Sequence, residues 1–432
     1  MAAEEKTARE FMLAHGGPFY ELQRRLGLLR EDAFRAGFRA LLFVALAWGV
    51  PLALSIVAGN AFGSPEDRPY LLDLAVWARF FIAVGLFLLM EKRLEKQLQT
   101  YLVQFVQAPL VAPGSLETAA IALTRALKRR DSKSAEIICL LFAAVLSLVL
   151  YQRAITLETV TWLLQAGPDG NHLTLAGWWA IIFSNTLFAF LLLRWLWRLC
   201  VWGLLLRELA GLELRLVAAH PDTHGGLGFL GNYPNAYTPF VFAISCALGA
   251  AVAHELLDNT ITTTTYGIIM AGWLVLVLIL FAIPLQAFNK PLGKLKIDTL
   301  LAYSSRATQR HRAAERELLG RNVAAAEDSD AATTADIPDP DKAFAATRKL
   351  SGMLVSRTIL LPLSAAALIP LVAAGTTQLP IKDILNVMKR LLVLKLAVKL
   401  GTYIEINTEK SAKIVGPHIS RAYLEIKAEK FE

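Results

Sequence analysis

The sequence predicts an all-α membrane protein: a polytopic transmembrane helical bundle of six to seven spans with long cytosolic helical extensions. Three observations carry that expectation. Of 432 residues, 55% are hydrophobic and 19% charged, too apolar a balance for an ordinary soluble chain of this size. Seven windows, 40–59, 70–90, 135–153, 176–196, 236–256, 264–288 and 356–375, approach the roughly 20 mainly apolar residues that cross the hydrocarbon. The cations also alternate between the connecting segments. Segments 1–39, 91–134, 194–235 and 289–357 carry seven, eight, four and twelve Lys or Arg, whereas 60–69, 152–175 and 254–264 carry one, one and none. Retention of positive charge inside the cell places the first set and the N-terminus in the cytosol.

Each element then follows in order. Residues 1–39 read as a cytosolic interfacial helix, with Phe19, Leu22, Leu26, Leu29 and Phe34 near helical spacing. Residues 40–288 hold six spans, with cytosolic helical loops at 91–134 and 194–235. Pro109 and the Ala-Pro-Gly at 112–114 break the helix leaving the second span, and Ser115 opens the next as a serine cap. The fourth span runs on from Trp178 for some forty residues without proline, until Pro221 pushes His220 out of helical geometry. Residues 289–355 form a cytosolic helical segment with an Ala/Asp/Pro-rich linker at 322–341. The window within 356–400 is a last span or a re-entrant segment, given Pro362 and Pro370, and an amphipathic cationic helix follows it. The tail 401–432 alternates like strands and is either a small β element or an added sequence.

The loop "HPDTHGGLGFLG", with "YTPFVFA" at the next span, "LLAYSSRATQRH" and "SGMLVSRTILLPLSAAALIPL", resembles an uncharacterised group of bacterial integral membrane proteins with a His-Pro-Asp-x-x-Gly-Gly-Leu-Gly-Phe-Leu signature. The resemblance covers roughly residues 20–395. It implies a bacterial inner (cytoplasmic) membrane location and no activity.

Two sets of residues are candidates for chemistry. In the loop, His220, Asp222 and His224 stand two residues apart, followed by Gly225, Gly226, Gly228 and Gly231. Two imidazoles and a carboxylate are competent metal ligands, but no fourth ligand is near in sequence. The alternative is a helix terminator in which Asp222 makes an Asx-type turn onto backbone amides. The glycines follow a helix and lack a Walker lysine, so they are no phosphate cradle. The second set lies in and beside the spans. Arg79, some nine residues into the second span, costs at least ~2.5 kcal/mol to insert unless it pairs or meets water, and Asp73 points aside from it. Glu255, Asp258 and Asn259, with five threonines nearby and Asp73 beside them, make either an acidic outer mouth or a solvated turn. Arg194 and Arg198 read as boundary anchors beside Trp195 and Trp197. Ser245, Gly249 and Ala253 form a small-residue packing stripe.

No catalytic residues, metal site or cofactor are expected, and the basic excess reflects topology and attraction to lipid headgroups, not nucleic acid. Cys139, Cys200 and Cys246 have no paired spacing. The expected function is an oligomeric channel or transporter for an ion or small solute, embedded in the bilayer. The rival readings are a non-transporting scaffold or sensor that docks a partner protein on its cytosolic helices, and a lipid-modifying membrane enzyme.

Overall fold

The computed structural model describes residues 13, 16–29, 36–64, 68–156, 162–167, 170–258, 261–324, 340–354, 357–380, 382, 384 and 386. The linker at 325–339, most of the amphipathic stretch after 380 and the tail 401–432 lie outside the described residues. The architecture is all-α and fits a polytopic bundle. Its helices are α1 (Pro18–Arg25), α2 (Ala36–Val57), α3 (Leu74–Gln107), α4 (Leu116–Arg130), α5 (Lys133–Thr156), α6 (Leu175–Ala210), α7 (Thr238–Leu257), α8 (Thr263–Gln286), α9 (Asn289–Leu319), α10 (Pro340–Lys349) and α11 (Arg357–Gly375). Among the described residues, six helical stretches are long and apolar enough to cross a bilayer: α2, α3, the α4–α5 pair, α6, the segment ending in α7, and α8.

The seventh apolar window becomes α11, whose apolar part, Leu361–Gly375, is shorter than the other six. It packs along α7 and α8. The small-residue stripe makes this approach close: a Cβ added at Gly249 would stand 2.8 Å from the Pro370 carbonyl oxygen. Ser245 in the same stripe accepts a hydrogen bond from Trp273 Nε1 at 2.9 Å, tying α7 to α8. Tyr266 in α8 donates to the Leu371 carbonyl at 3.0 Å.

Several local expectations are corrected. The fourth span does not continue to Pro221. It ends at Ala210, and after Gly211 the chain runs extended beside residues 110–112, with Ala112 N–H on Glu213 O (2.9 Å) and Arg215 N–H on Leu110 O (2.7 Å). Pairing with a neighbouring segment competes successfully with two more helical turns there. Ser115 makes no side-chain cap on α4. The N-terminal helix is not continuous with the first span, since Gly27 takes φ +71° and breaks it. Between α5 and α6 lies a hairpin that the helical reading missed, β1 (Leu164–Gly167) antiparallel to β2 (Gly170–Leu173), with Leu164 opposite Leu173. Thr174 then caps α6 by accepting from Gly177 N–H at 2.9 Å.

Chain reversal at each span gives the bundle two ends. The hairpin, residues 58–64 and 68–73, and residues 258 and 261–262 share one end, the hairpin end. The opposite, basic end carries α1, α4, α9 and α10. On α5, side chains such as Ile137, Leu141, Phe142 and Val145 stand exposed on the protein surface, as a lipid-facing span requires.

Candidate functional site

Three spans carry a π-helical turn: Ala45–Gly49 in α2, Trp77–Ala83 in α3 and Ala180–Asn185 in α6. They pack against one another. A π turn skips one i→i−4 bond and leaves a carbonyl underused, and in an apolar layer that carbonyl needs a donor. The neighbouring span α6 and the turn before α3 supply donors in sequence: Trp179 Nε1 to Leu46 O (2.8 Å), Ser184 Oγ to Ala47 O (2.7 Å) and Tyr70 OH to Trp48 O (2.7 Å). Ser147 and Thr186 hydroxyls both donate to Ile181 O. The wide turns are thus held by specific side chains.

Arg79 belongs to this layer. Because α3 starts only after the Asp73 cap, Arg79 lies five residues inside the helix, about 8 Å by helical rise, not the 14 Å that nine residues would give. Its Nη1 donates to Asn185 Oδ1 of α6 at 3.1 Å, and its Nε leans back to Ala75 O at 3.3 Å. Its charge stands 5.6 Å from the Phe80 ring centre. Asn185 is ten residues into α6, so the pair meets within the apolar layer. Among the described residues no carboxylate comes within ion-pairing distance of Arg79, and its Nη2 has no protein partner. Asp73 attracts it only at longer range. The Asp73 carboxylate is committed elsewhere, accepting from Ala75 N–H at 2.8 Å and Trp162 Nε1 at 2.9 Å.

At the turn beyond α7, Asp258 pairs with Arg68 at 2.6 Å, and Arg68 Nη1 lies 2.7 Å from His254 Nε2. One of the two outer-segment cations therefore sits on the acidic turn. Glu255 is exposed on the same turn, Asn259 lies outside the described residues, and Asp73 and Asp258 engage separate partners.

The reading of Arg194 and Arg198 as boundary anchors is overturned. Both are 2% exposed. They belong to a buried network that joins four spans and that the sequence reasoning missed. Glu91 Oε2 receives Arg39 Nη1 at 2.7 Å, while its Oε1 lies 3.5 Å from Arg194 Nη1 and 3.7 Å from Arg198 Nη1. Glu136 takes Arg194 Nε at 2.8 Å and the Phe19 N–H at 2.7 Å. Glu95 is buried beside them. Helix α1 seals the network from the basic end: Gln23 Oε1 accepts from Arg39 Nε at 2.5 Å, and the Phe19 ring lies 5.1 Å from the Arg194 charge. The signal in the sequence was a pair of i,i+4 arginines, 194 and 198, matched by i,i+4 glutamates, 91 and 95, on another span.

The glycine-rich loop is a structural hub. Asp222 Oδ1 accepts from His224 N–H (2.8 Å), Oδ2 from Gly228 N–H (2.8 Å), and Gly226 N–H reaches both. Burial would raise the Asp222 carboxyl, but the amides of His224, Gly228 and Gly226, with His220, outweigh it and hold it below the usual range. His220 Nδ1 lies 2.8 Å from Asp222 Oδ1, and His224 Nδ1 lies 2.6 Å from the Asp222 carbonyl oxygen. Gly226 has φ +96°, and a Cβ there would stand 3.2 Å from Leu110; one at Gly225, φ +69°, would stand 3.1 Å from Leu292. Ser351 N–H donates to Thr223 O at 2.8 Å. The loop therefore clamps the end of α3, the start of α9 and the segment before α11. Among the described residues, no three His, Cys, Asp or Glu side chains gather as a metal-holding group.

No family model, no curated protein and no solved structure matches this chain.

Proposed function

We propose that the protein is an oligomeric channel or transporter that passes a small anion across a bacterial inner membrane, with its N-terminus and basic end in the cytoplasm. One observation supports it above the others: Arg79 sits in the apolar layer with a neutral amide and a carbonyl as partners, no carboxylate counter-ion among the described residues, and one terminal nitrogen to spare. An arginine placed so is costly unless a charge or water joins it. A transient anion does so without cancelling the site permanently. Asn185 adds a neutral amide beside it, and the π turns fix both in place. The alternation of cations between loops supports the orientation. The bacterial location rests on the loop resemblance. Oligomerisation is part of the same proposal: α2 and α5 leave most of their apolar surface uncovered within one chain, and lipid or a second copy covers it.

The test is flux into liposomes reconstituted with the full chain, comparing chloride and nitrate with potassium. Anion flux that is lost in Arg79→Leu and kept in part by Arg79→Lys supports the reading. Absence of flux for every small ion tested would end it.

A docking role has its own support. Helix α9 is 31 residues long with Leu292 as its one buried residue among those described, and a cleft of about 590 Å3 opens between it and α10, lined by Ser304, Thr308, His311, Arg312, Asp341 and Phe344. Stoichiometric co-purification of another protein that is lost on mutating Phe344 would favour that role.

A further inference from the structure

The pair formed by Arg79 and Asn185 has donors left over on both sides. An arginine carries only donors, so the Asn185 atom that meets Arg79 Nη1 at 3.1 Å is the carbonyl oxygen Oδ1. That assignment leaves the amide nitrogen Nδ2 as a donor. Among the described residues neither Asn185 Nδ2 nor Arg79 Nη2 donates to a protein atom, and neither is sealed inside the protein. Asn185 is 8% exposed and Arg79 is part-buried, so the two free donors keep some accessible surface. The neighbours of Asn185 are spent on backbone: Ser184 donates to Ala47 O at 2.7 Å and Thr186 to Ile181 O at 3.2 Å.

Each partner lies in a π turn, Arg79 within Trp77–Ala83 and Asn185 at the end of Ala180–Asn185. The extra residue of a π turn shifts the phase of a helix by about 100°. It thereby brings a polar side chain off the lipid-facing stripe and toward the neighbouring span. The residue type at 185 is informative as well. An aspartate there would pair with Arg79 and cancel its charge, the usual arrangement for a guanidinium within a bilayer. Asparagine keeps the acceptor, leaves the charge standing and adds a donor. The site then offers one positive charge and two nitrogens with hydrogens to give.

We propose that Asn185 is the specificity-determining residue of this site: its amide nitrogen and Arg79 Nη2 together hold a monovalent anion between α3 and α6, in preference to a divalent one. This rests on the anion reading of Arg79 and adds which anions the site takes. One fixed cation matches one negative charge. A divalent anion would leave a charge uncompensated at low dielectric, which is strongly disfavoured.

The experiment is flux of chloride, nitrate and sulfate into liposomes containing the full chain, for wild type, Asn185→Asp and Arg79→Leu, with folding checked by melting curves in detergent. Wild type is expected to pass chloride and nitrate about tenfold faster than sulfate, or more. In Asn185→Asp the arginine keeps an acceptor, so a merely structural partnership would leave flux intact. The proposal instead expects chloride and nitrate flux to fall by about tenfold or more in a protein at least as stable as wild type. Asn185→Glu repeats the test should the aspartate variant fail to fold. Chloride flux unchanged in a folded acidic variant, or sulfate passing as fast as chloride, overturns the proposal. In either case loss of flux in Arg79→Leu keeps the anion reading, so the two fail separately. Absence of flux for all three ions in wild type sinks both. A lipid phosphodiester is also a monovalent anion: phospholipid retained by purified wild type and lost from Asn185→Asp, with no flux, would assign the donors to a headgroup and overturn the proposal.

Discussion

Arg194 is buried and Arg79 part-buried among the spans of the same bundle, and the two are kept there in opposite ways. Arg194 meets Glu136 at 2.8 Å, shares Glu91, and has the Phe19 ring against its face. Arg79 meets an amide oxygen and a backbone carbonyl. The first arginine is compensated by protein charge and ties α1, α3, α5 and α6 together. The second is positioned but not neutralised. The comparison teaches that burial alone does not mark a working residue; what matters is whether the protein itself supplies the opposite charge.

That contrast can be broken by substitution. Arg194→Leu leaves Glu136 buried without its cation, and removing one partner of a buried pair costs about 3–5 kcal/mol. Thermal unfolding in detergent is expected to show the largest loss of any single change here. Arg79→Leu removes a charge that nothing in the protein balances, so stability is expected to stay within about 1 kcal/mol of wild type or to rise. Equal losses in the two variants would erase the distinction.

Smaller effects sharpen the picture. Gly226→Ala forces a side chain into φ +96° against Leu110, and strain of that kind costs of order 1–3 kcal/mol. It is expected to loosen the clamp on α3 and α9, seen as faster amide exchange in 222–228. Asp222→Ala is expected to cost about 1–3 kcal/mol by leaving amides without an acceptor. Its pH dependence has a definite sign. Because the folded carboxyl sits below its ordinary value, its stabilisation is complete above about pH 4 and is lost as pH falls through the lowered folded value. Melting curves of wild type and Asp222→Ala are therefore expected to differ by a constant amount from pH 5 to 8 and to converge only in stronger acid. Ser184→Ala, which removes one donor from the π layer, is expected to cost about 0.6 kcal/mol, less than Gly226→Ala or Asp222→Ala.

The spans were legible in the sequence because an apolar run near 20 residues has few other uses, and α2, α3, α5, α6, α7 and α8 fall on the expected windows. What escaped depends on partners distant in the chain. The end of α6 at Ala210 is set by backbone pairing with 110–112, which Pro221 could not reveal. The π turns have no compositional signature; they become visible only when Trp179, Ser184 and Tyr70 are seen donating to consecutive carbonyls. Arg79 stood out because a lone charge in an apolar run is conspicuous, whereas Asn185, its partner, did not. Glu91 and Glu136 sit near span ends, where charge is ordinary, so their burial was invisible without the fold. In the loop, the Asx-type turn expected at Asp222 is present in geometry, extended to three amides.

The most direct test of the central claim is the reversal potential across a membrane containing the purified protein under a potassium chloride gradient. The account expects a wild-type potential near the value set by chloride, and loss of that selectivity in folded Arg79→Leu. A potential near that of potassium, or anion selectivity that persists unchanged in Arg79→Leu, would contradict it.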